Sequence, residues 1–210
     1  SNLVRTIYNP VITDSILEQA LQPVEHQFFG ADQPPVIVAF GRLTAAKDHP
    51  TLLKAYARVR KTRPARLVII GEGERRPVLE NLIVELGISE DVHLPGYVQN
   101  PFAYLKRASV FVLSSAWEGL PSVLIEALAC GAPIVSTDCP HGPSEILDGG
   151  KYGYLVPVGN DDAMASAILR VLAGEAKPVA PATWLDQFRF ENVREQYLEV
   201  LGLTETGFYK

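Results

Sequence analysis

The sequence predicts an α/β fold built on a doubly wound, Rossmann-like parallel sheet of about six strands. Three observations carry this expectation. Short apolar, β-rich runs alternate with segments of helical periodicity through most of the chain, which is the pattern of right-handed βαβ units. Glycines follow several of those runs, at Gly41, Gly71 and Gly96, where a strand must turn toward a helix. With 210 residues and 47% hydrophobic content, the chain can bury one substantial core.

The elements follow in order. Residues 1–34 are the least regular part and read as a connector, with Ser1-Asn2 as a cloning remnant. Residues 35–176 form the expected domain. Its first strand is Val36 to Phe40, followed by a helix near His49 to Thr62. A second strand over Leu67 to Ile70 precedes a helix near Glu74 to Leu86, and Val92 to Leu94 is the third. A short helix near Pro101 to Lys106 leads to the apolar run Ser109 to Leu113. Pro121 suits the first turn of the next helix, which Gly131 stops ahead of Pro133. Strands follow at Ile134 to Ser136 and, more weakly, at Tyr154 to Val156. Asp161-Asp162 suits the positive end of a helix over Asn160 to Ala173, whose Ala163, Ala167, Ile168 and Val171 share one side. Residues 177–210 begin with a proline-rich bridge and end in a helix near Phe188 to Leu198, whose Phe188, Val193, Tyr197 and Leu198 are expected to pack back on the body.

Composition narrows the function classes. A net charge of -5, with no basic stripe of interleaved aromatics, argues against nucleic-acid binding. No apolar run reaches the roughly 20 residues of a membrane span, and no charged-then-apolar signal pattern opens the chain. The expectation is a soluble, cytoplasmic protein. Cys130 and Cys139 lack both zinc-site spacing and the density of a disulfide scaffold, so both read as reduced thiols.

The chemistry concentrates in Trp117-Glu118-Gly119-Leu120-Pro121-Ser122 and the helix that carries Glu126. Glu118 ends a strand, and Glu126 rides the helix eight positions on. In a parallel sheet, ligands collect where strand C-termini meet helix N-termini, because free amides and the helix dipole favour anions there. One carboxylate there suits sugar hydroxyls beside a phosphate, and the other suits a ribose. A solvated loop carboxylate and a helix-surface charge would give the same spacing. Gly41-Arg42-Leu43-Thr44-Ala45-Ala46-Lys47 follows the first strand, where two fixed cations can neutralise a diphosphate or simply remain solvated.

The stretch from Trp117 to Pro133 resembles the Glu-x7-Glu motif of retaining glycosyltransferases of the group 1 (family 4) type, which have the two-domain GT-B architecture. The resemblance implies that Glu118 contacts the donor sugar, Glu126 the nucleotide ribose, and nearby amides the sugar and phosphate. Gly119, Leu120 and Ser122 are the candidates for those amides. Many members have glycine where this chain has Pro121, and proline has no N–H to give. A Gly-Arg-Leu...Lys pattern in similar members makes Gly41, Arg42 and Lys47 the donor-phosphate site. Backbone at Val98 is the candidate base contact. The catalytic set so implied is Glu118, Arg42 and Lys47. The implied reaction moves a sugar from a nucleotide diphosphate sugar, by default a UDP-sugar, to a hydroxyl acceptor in glycan or glycolipid synthesis. The connector would then arrive from an N-terminal acceptor domain upstream of residue 1, without which this chain is expected to be inactive. In the full-length enzyme, peripheral membrane attachment is compatible with this picture.

Other features resolve less. No Asp-x-Asp pair is present to hold a divalent ion on a diphosphate, so no metal and no cofactor is expected. Gly71-Glu72-Gly73 invites a dinucleotide reading, but Arg76 breaks the Gly-x-Gly-x-x-Gly pattern and a tight turn suffices. Tyr97 would pack against a base or cover the core, and Trp117, beside Glu118, would shape the donor pocket or, as the simpler reading, serve as a packing aromatic. His141 has no partner at triad or metal spacing, and Glu145 falls in the first turn of a short helix. Two alternatives share the sheet: a GT-B sugar-nucleotide epimerase, and a nucleotide-binding module without catalysis.

Overall fold

A computed structural model describes residues 4–203, so Ser1 and Asn2 lie outside the described residues. Six strands form one sheet: β1 Val36–Phe40, β2 Arg66–Ile70, β3 Val92–Gly96, β4 Val110–Leu113, β5 Ile134–Thr137 and β6 Tyr154–Val156. Their order is β3-β2-β1-β4-β5-β6, and every pairing is parallel. This is the doubly wound, Rossmann-like α/β arrangement expected from the alternating pattern. The direction of winding reverses between β1 and β4, so the loops that follow these two strands diverge from one crevice.

The helices are α1 Asp14–Ala20, α2 His49–Thr62, α3 Arg76–Glu85, α4 Pro101–Arg107, α5 Ser122–Cys130, α6 Pro143–Ile146, α7 Asp161–Leu172, α8 Ala182–Leu185 and α9 Phe190–Val200. Strand alternation divides the interior in two. Val36, Val38 and Phe40 face a core shared with Leu105 of α4 and Leu124 of α5, whereas Ile37 and Ala39 face Leu52 of α2, Leu79 of α3 and Ile168 of α7. Both faces of the sheet are thus covered, which is why β1 reads as an unbroken apolar run.

Local chemistry sets the helix ends. Asn160 accepts from the Ala163 amide at 2.9 Å and opens α7, where Asp161 and Asp162 meet the positive dipole end and pair with Arg58 of α2. Gly131 takes the left-handed conformation, at φ 74°, that closes α5. The Gly-x-Gly turn is a packing device: a Cβ on Gly71 would stand 2.1 Å from the Gly41 carbonyl oxygen.

Three expectations are corrected. The supposed connector contains a helix, α1, whose Ile16 and Ala20 join the core, with Thr13 as its N-cap. The last helix begins at Phe190, because residues Asp186–Phe188 form a 3-10 turn that buries Phe188, and Tyr197 lies 45% exposed. Tyr97 and Trp117 cover no core, at 78% and 57% exposed.

Candidate active site

The loop after β1 and the loop after β4 are tied together at the reversal point. The Ala116 amide donates to the Ala46 carbonyl at 2.8 Å, and the Ser114 hydroxyl to the Lys47 carbonyl at 2.7 Å. These bonds bring Lys47 to Glu118 although 71 positions separate them: Nζ lies 2.5 Å from Oε1. Both side chains are largely shielded, at 19% and 12% exposed, so the ion pair is stronger than its surface equivalents and its partners are costly to separate. The Lys47 methylenes lie across Gly41, 3.1 to 3.2 Å from where a Cβ would stand, so a side chain there would displace the lysine.

Glu118 Oε1 also accepts from the Ser115 hydroxyl at 2.6 Å. Ser115 is fully buried, and its own carbonyl accepts from the Thr137 hydroxyl of β5 at 2.6 Å. The other carboxylate oxygen, Oε2, has no partner among the described residues.

Glu126 stands in the opposite condition. Its carboxyl group has no hydrogen bond or ion pair among the described residues, and burial raises its pKa above the ordinary range. A shielded acceptor without a donor is an open demand for hydroxyl or amide protons. One turn on, burial pushes the Cys130 thiol up to about 11, with Glu126 as the second cause. Both cysteines are free and buried, as expected of inert thiols.

Helix α5 opens toward the same region. Its N-cap is Pro121, which provides no side-chain acceptor, and its first intrahelical bond is donated by Leu124 to the Pro121 carbonyl at 2.9 Å. The amides of Ser122 and Val123 therefore precede the helical ladder and remain available. Gly119 is exposed and Leu120 half-buried. Arg42 is exposed and carries no ion pair or side-chain hydrogen bond among the described residues, so its guanidinium is free for an anion.

Of the predicted residues, Gly41, Lys47 and Glu118 meet directly, while Arg42, Gly119, Leu120, Ser122 and Glu126 stand on the same two loops and on α5. Val98 follows β3, three strand steps from β4. At about 4.8 Å a step, that is roughly 14 Å away. His141, exposed at φ 65°, acquires no side-chain partner among the described residues.

Sequence reasoning missed four contributors. Ser114, Ser115 and Thr137 are buried polar residues at strand ends, and two serines closing an apolar run just before Glu118 were a visible signal. His49, only 2% exposed beside Lys47, was the fourth; its Nδ1 has no partner among the described residues, and burial lowers its pKa to about 4.

Comparison with known proteins gives the site its family. The pattern that defines "Glycosyl transferases group 1" matches residues 22–182. An uncharacterised glycosyltransferase of Methanocaldococcus jannaschii is 38% identical over 148 residues, covering 70% of this chain and 36% of its own. The N-acetylgalactosamine-N,N'-diacetylbacillosaminyl-diphospho-undecaprenol 4-alpha-N-acetylgalactosaminyltransferase of Campylobacter jejuni is 35% identical over 166 residues, 79% of this chain and 43% of the relative. The match thus covers less than half the length of these two relatives. Among solved structures, Anabaena HepE in complex with UDP superposes with a TM-score of 0.73 at 21% identity, covering 80% of this chain and 49% of that one. The fold and the match across most of its length place this chain in the group 1 glycosyl transferase family.

Proposed function

We propose that this chain is the donor-binding domain of a retaining glycosyltransferase that moves a sugar from a nucleotide diphosphate sugar, a UDP-sugar, to a hydroxyl acceptor. The observation that carries the reading is the meeting of Lys47 and Glu118 at the reversal point, with Glu126 left unpaired on the adjoining helix. A carboxylate with one free oxygen suits donor-sugar hydroxyls, and an unpaired, shielded carboxylate suits a ribose diol. A nucleotide whose base rests at Val98 would span from β3 to the diphosphate at β1 and β4, and UDP in the HepE structure makes uracil the first base to test.

The rate advantage would come from charge development. As the glycosidic bond to the diphosphate breaks, negative charge grows on the leaving oxygen. Arg42, Lys47 and the open amides at the start of α5 would stabilise it in place of a metal ion. Acceptor recognition would come from residues outside this chain, in a facing domain across a cleft.

The test is calorimetric titration of UDP and UDP-sugars, with magnesium and then with excess chelator, beside an assay of radiolabelled sugar transfer. Binding that survives chelation, without transfer by this chain alone, is the expected result. Failure of every nucleotide to bind would overturn the reading, and collapse under chelator would transfer the diphosphate charge to a metal.

A further inference from the structure

Lys47 has two anions to serve and one ammonium group. In the structure its Nζ belongs to Glu118 at 2.5 Å, and in the donor complex the same group would face a diphosphate. Movement toward the phosphates would remove the only cation that, among the described residues, pairs with the Glu118 carboxylate, itself 12% exposed. An uncompensated charge in so shielded a position is costly, and a carboxylate free to turn about its side-chain bonds loses its aim.

The second contact on the same oxygen meets both needs. The Ser115 hydroxyl donates its single proton to Glu118 Oε1 at 2.6 Å. Its place does not depend on the lysine: Ser115 is fully buried, and its carbonyl is held by the Thr137 hydroxyl of β5 at 2.6 Å. Glu118 follows Ser115 by three positions in the loop after β4, within reach of the serine hydroxyl. Because Ser115 occupies Oε1, Oε2 is the oxygen left for a ligand.

We propose that Ser115 is a positioning residue that holds Glu118 Oε1, and so aims Oε2 at a donor-sugar hydroxyl, while Lys47 is the exchangeable partner released to the diphosphate. The inference rests on the donor-binding reading above and adds a division of labour between the two contacts. Ser115 touches neither sugar nor phosphate. Its effect passes wholly through Glu118.

The experiment compares UDP with UDP-glucose, UDP-galactose and UDP-N-acetylglucosamine on this chain by calorimetry, in the wild type and in Ser115→Ala, Ser115→Cys, Lys47→Ala and Glu118→Ala. The quantity read is the ratio of UDP-sugar affinity to UDP affinity. Ser115→Ala is expected to leave UDP affinity within about twofold and to lower the ratio about tenfold, the effect of one hydrogen bond to a charged group. Ser115→Cys, which keeps the size and a weaker donor, should fall between and serves if the alanine variant does not fold. Lys47→Ala should weaken UDP itself.

Equal loss of UDP and UDP-sugar in Ser115→Ala would reduce the serine to loop stability and overturn the inference. A ratio that Glu118→Ala lowers and both Ser115 variants preserve would overturn the inference alone. A ratio untouched by Glu118→Ala, or no binding of any sugar nucleotide, would overturn the sugar role of Glu118 and the inference with it.

Discussion

Tyr8 donates its phenol proton to the Glu145 carboxylate, joining the start of the described chain to helix α6. The hydrogen bond, followed by burial, raises the phenol to about 12. Tyr8 also packs on Phe188 with ring centroids 5.1 Å apart, and the Phe188 carbonyl accepts from the amides of both Val11 and Ile12. At the other end of α6, Gly142 fits against the loop before α5: a Cβ there would stand 2.3 Å from Pro121 Cδ and 2.9 Å from the Gly119 oxygen. Tyr8→Phe removes one half-exposed hydrogen bond, about 0.5 to 1 kcal/mol, and should lower the unfolding midpoint by a few degrees with UDP affinity nearly intact. Gly142→Ala should lower both, since φ of 99° and the Pro121 contact force the loop to move. Thermal unfolding with and without UDP separates the two. An unchanged UDP affinity in Gly142→Ala would detach that loop from the site.

Lys47→Ala should weaken UDP about ten- to a hundredfold while changing uridine less than about twofold. A charge-assisted contact to phosphate contributes about 1.5 to 3 kcal/mol, and the nucleoside offers no such acceptor. Titration of UDP, UMP and uridine against both proteins checks this. Equal losses for all three would place Lys47 outside the phosphate site and leave it a partner of Glu118 only.

Glu126→Gln should separate stability from binding. Burial raises the Glu126 carboxyl above its unfolded value, so the folded chain holds the proton more tightly. Stability from this group is present below the unfolded pKa and lost as pH rises through the raised folded value. The amide carries no such liability, and the variant should melt higher than the wild type at pH 7. It should also bind UDP about tenfold more weakly, since a neutral amide is a poorer acceptor for ribose hydroxyls. Higher stability with unchanged UDP affinity would remove the ribose role.

The residues that were legible before any coordinates share one property. Each either repeats with the period of its element or sits at a fixed offset from a turn. All six strands, the α5 boundaries at Pro121 and Gly131, and the carboxylates eight positions apart belong to that class, because periodicity and helix punctuation are local. Residues that act across the chain were not legible. Ser115 and Thr137 matter through a contact spanning 22 positions, and Tyr8 and Glu145 through one spanning 137. Helix α1 was missed for another reason: seven residues with two buried positions give too short a pattern, and its stability comes from the core it joins rather than from propensity. Tyr97 and Trp117 show the converse, since a large aromatic beside a strand end suggests core until the fold leaves it facing outward.

His49 should make the fold acid-sensitive. It opens α2 two residues after Lys47, is 2% exposed, and its Nδ1 has no partner among the described residues. Burial, reinforced by the Lys47 charge, lowers its pKa from 6.5 to about 4. The sign follows from proton counts: between those values the unfolded chain binds the proton and the folded chain does not. Stability from this group is therefore present above pH 6.5 and lost as pH falls toward 4, to a total of about 3 kcal/mol. His26 and His93, whose facing ring nitrogens are 2.6 Å apart, are also lowered by burial and add loss of the same sign. His49→Leu introduces an apolar side chain of similar size and abolishes one of these titrations. Urea unfolding at pH 7, 5.5 and 4.5 should show a shallower decline for the variant, with the midpoint at pH 7 equal to or above that of the wild type because a buried orphan nitrogen has gone. Equal declines for the two proteins would mean that His49 reaches solvent or a partner in solution, and the acid sensitivity would then belong to the His26 and His93 pair.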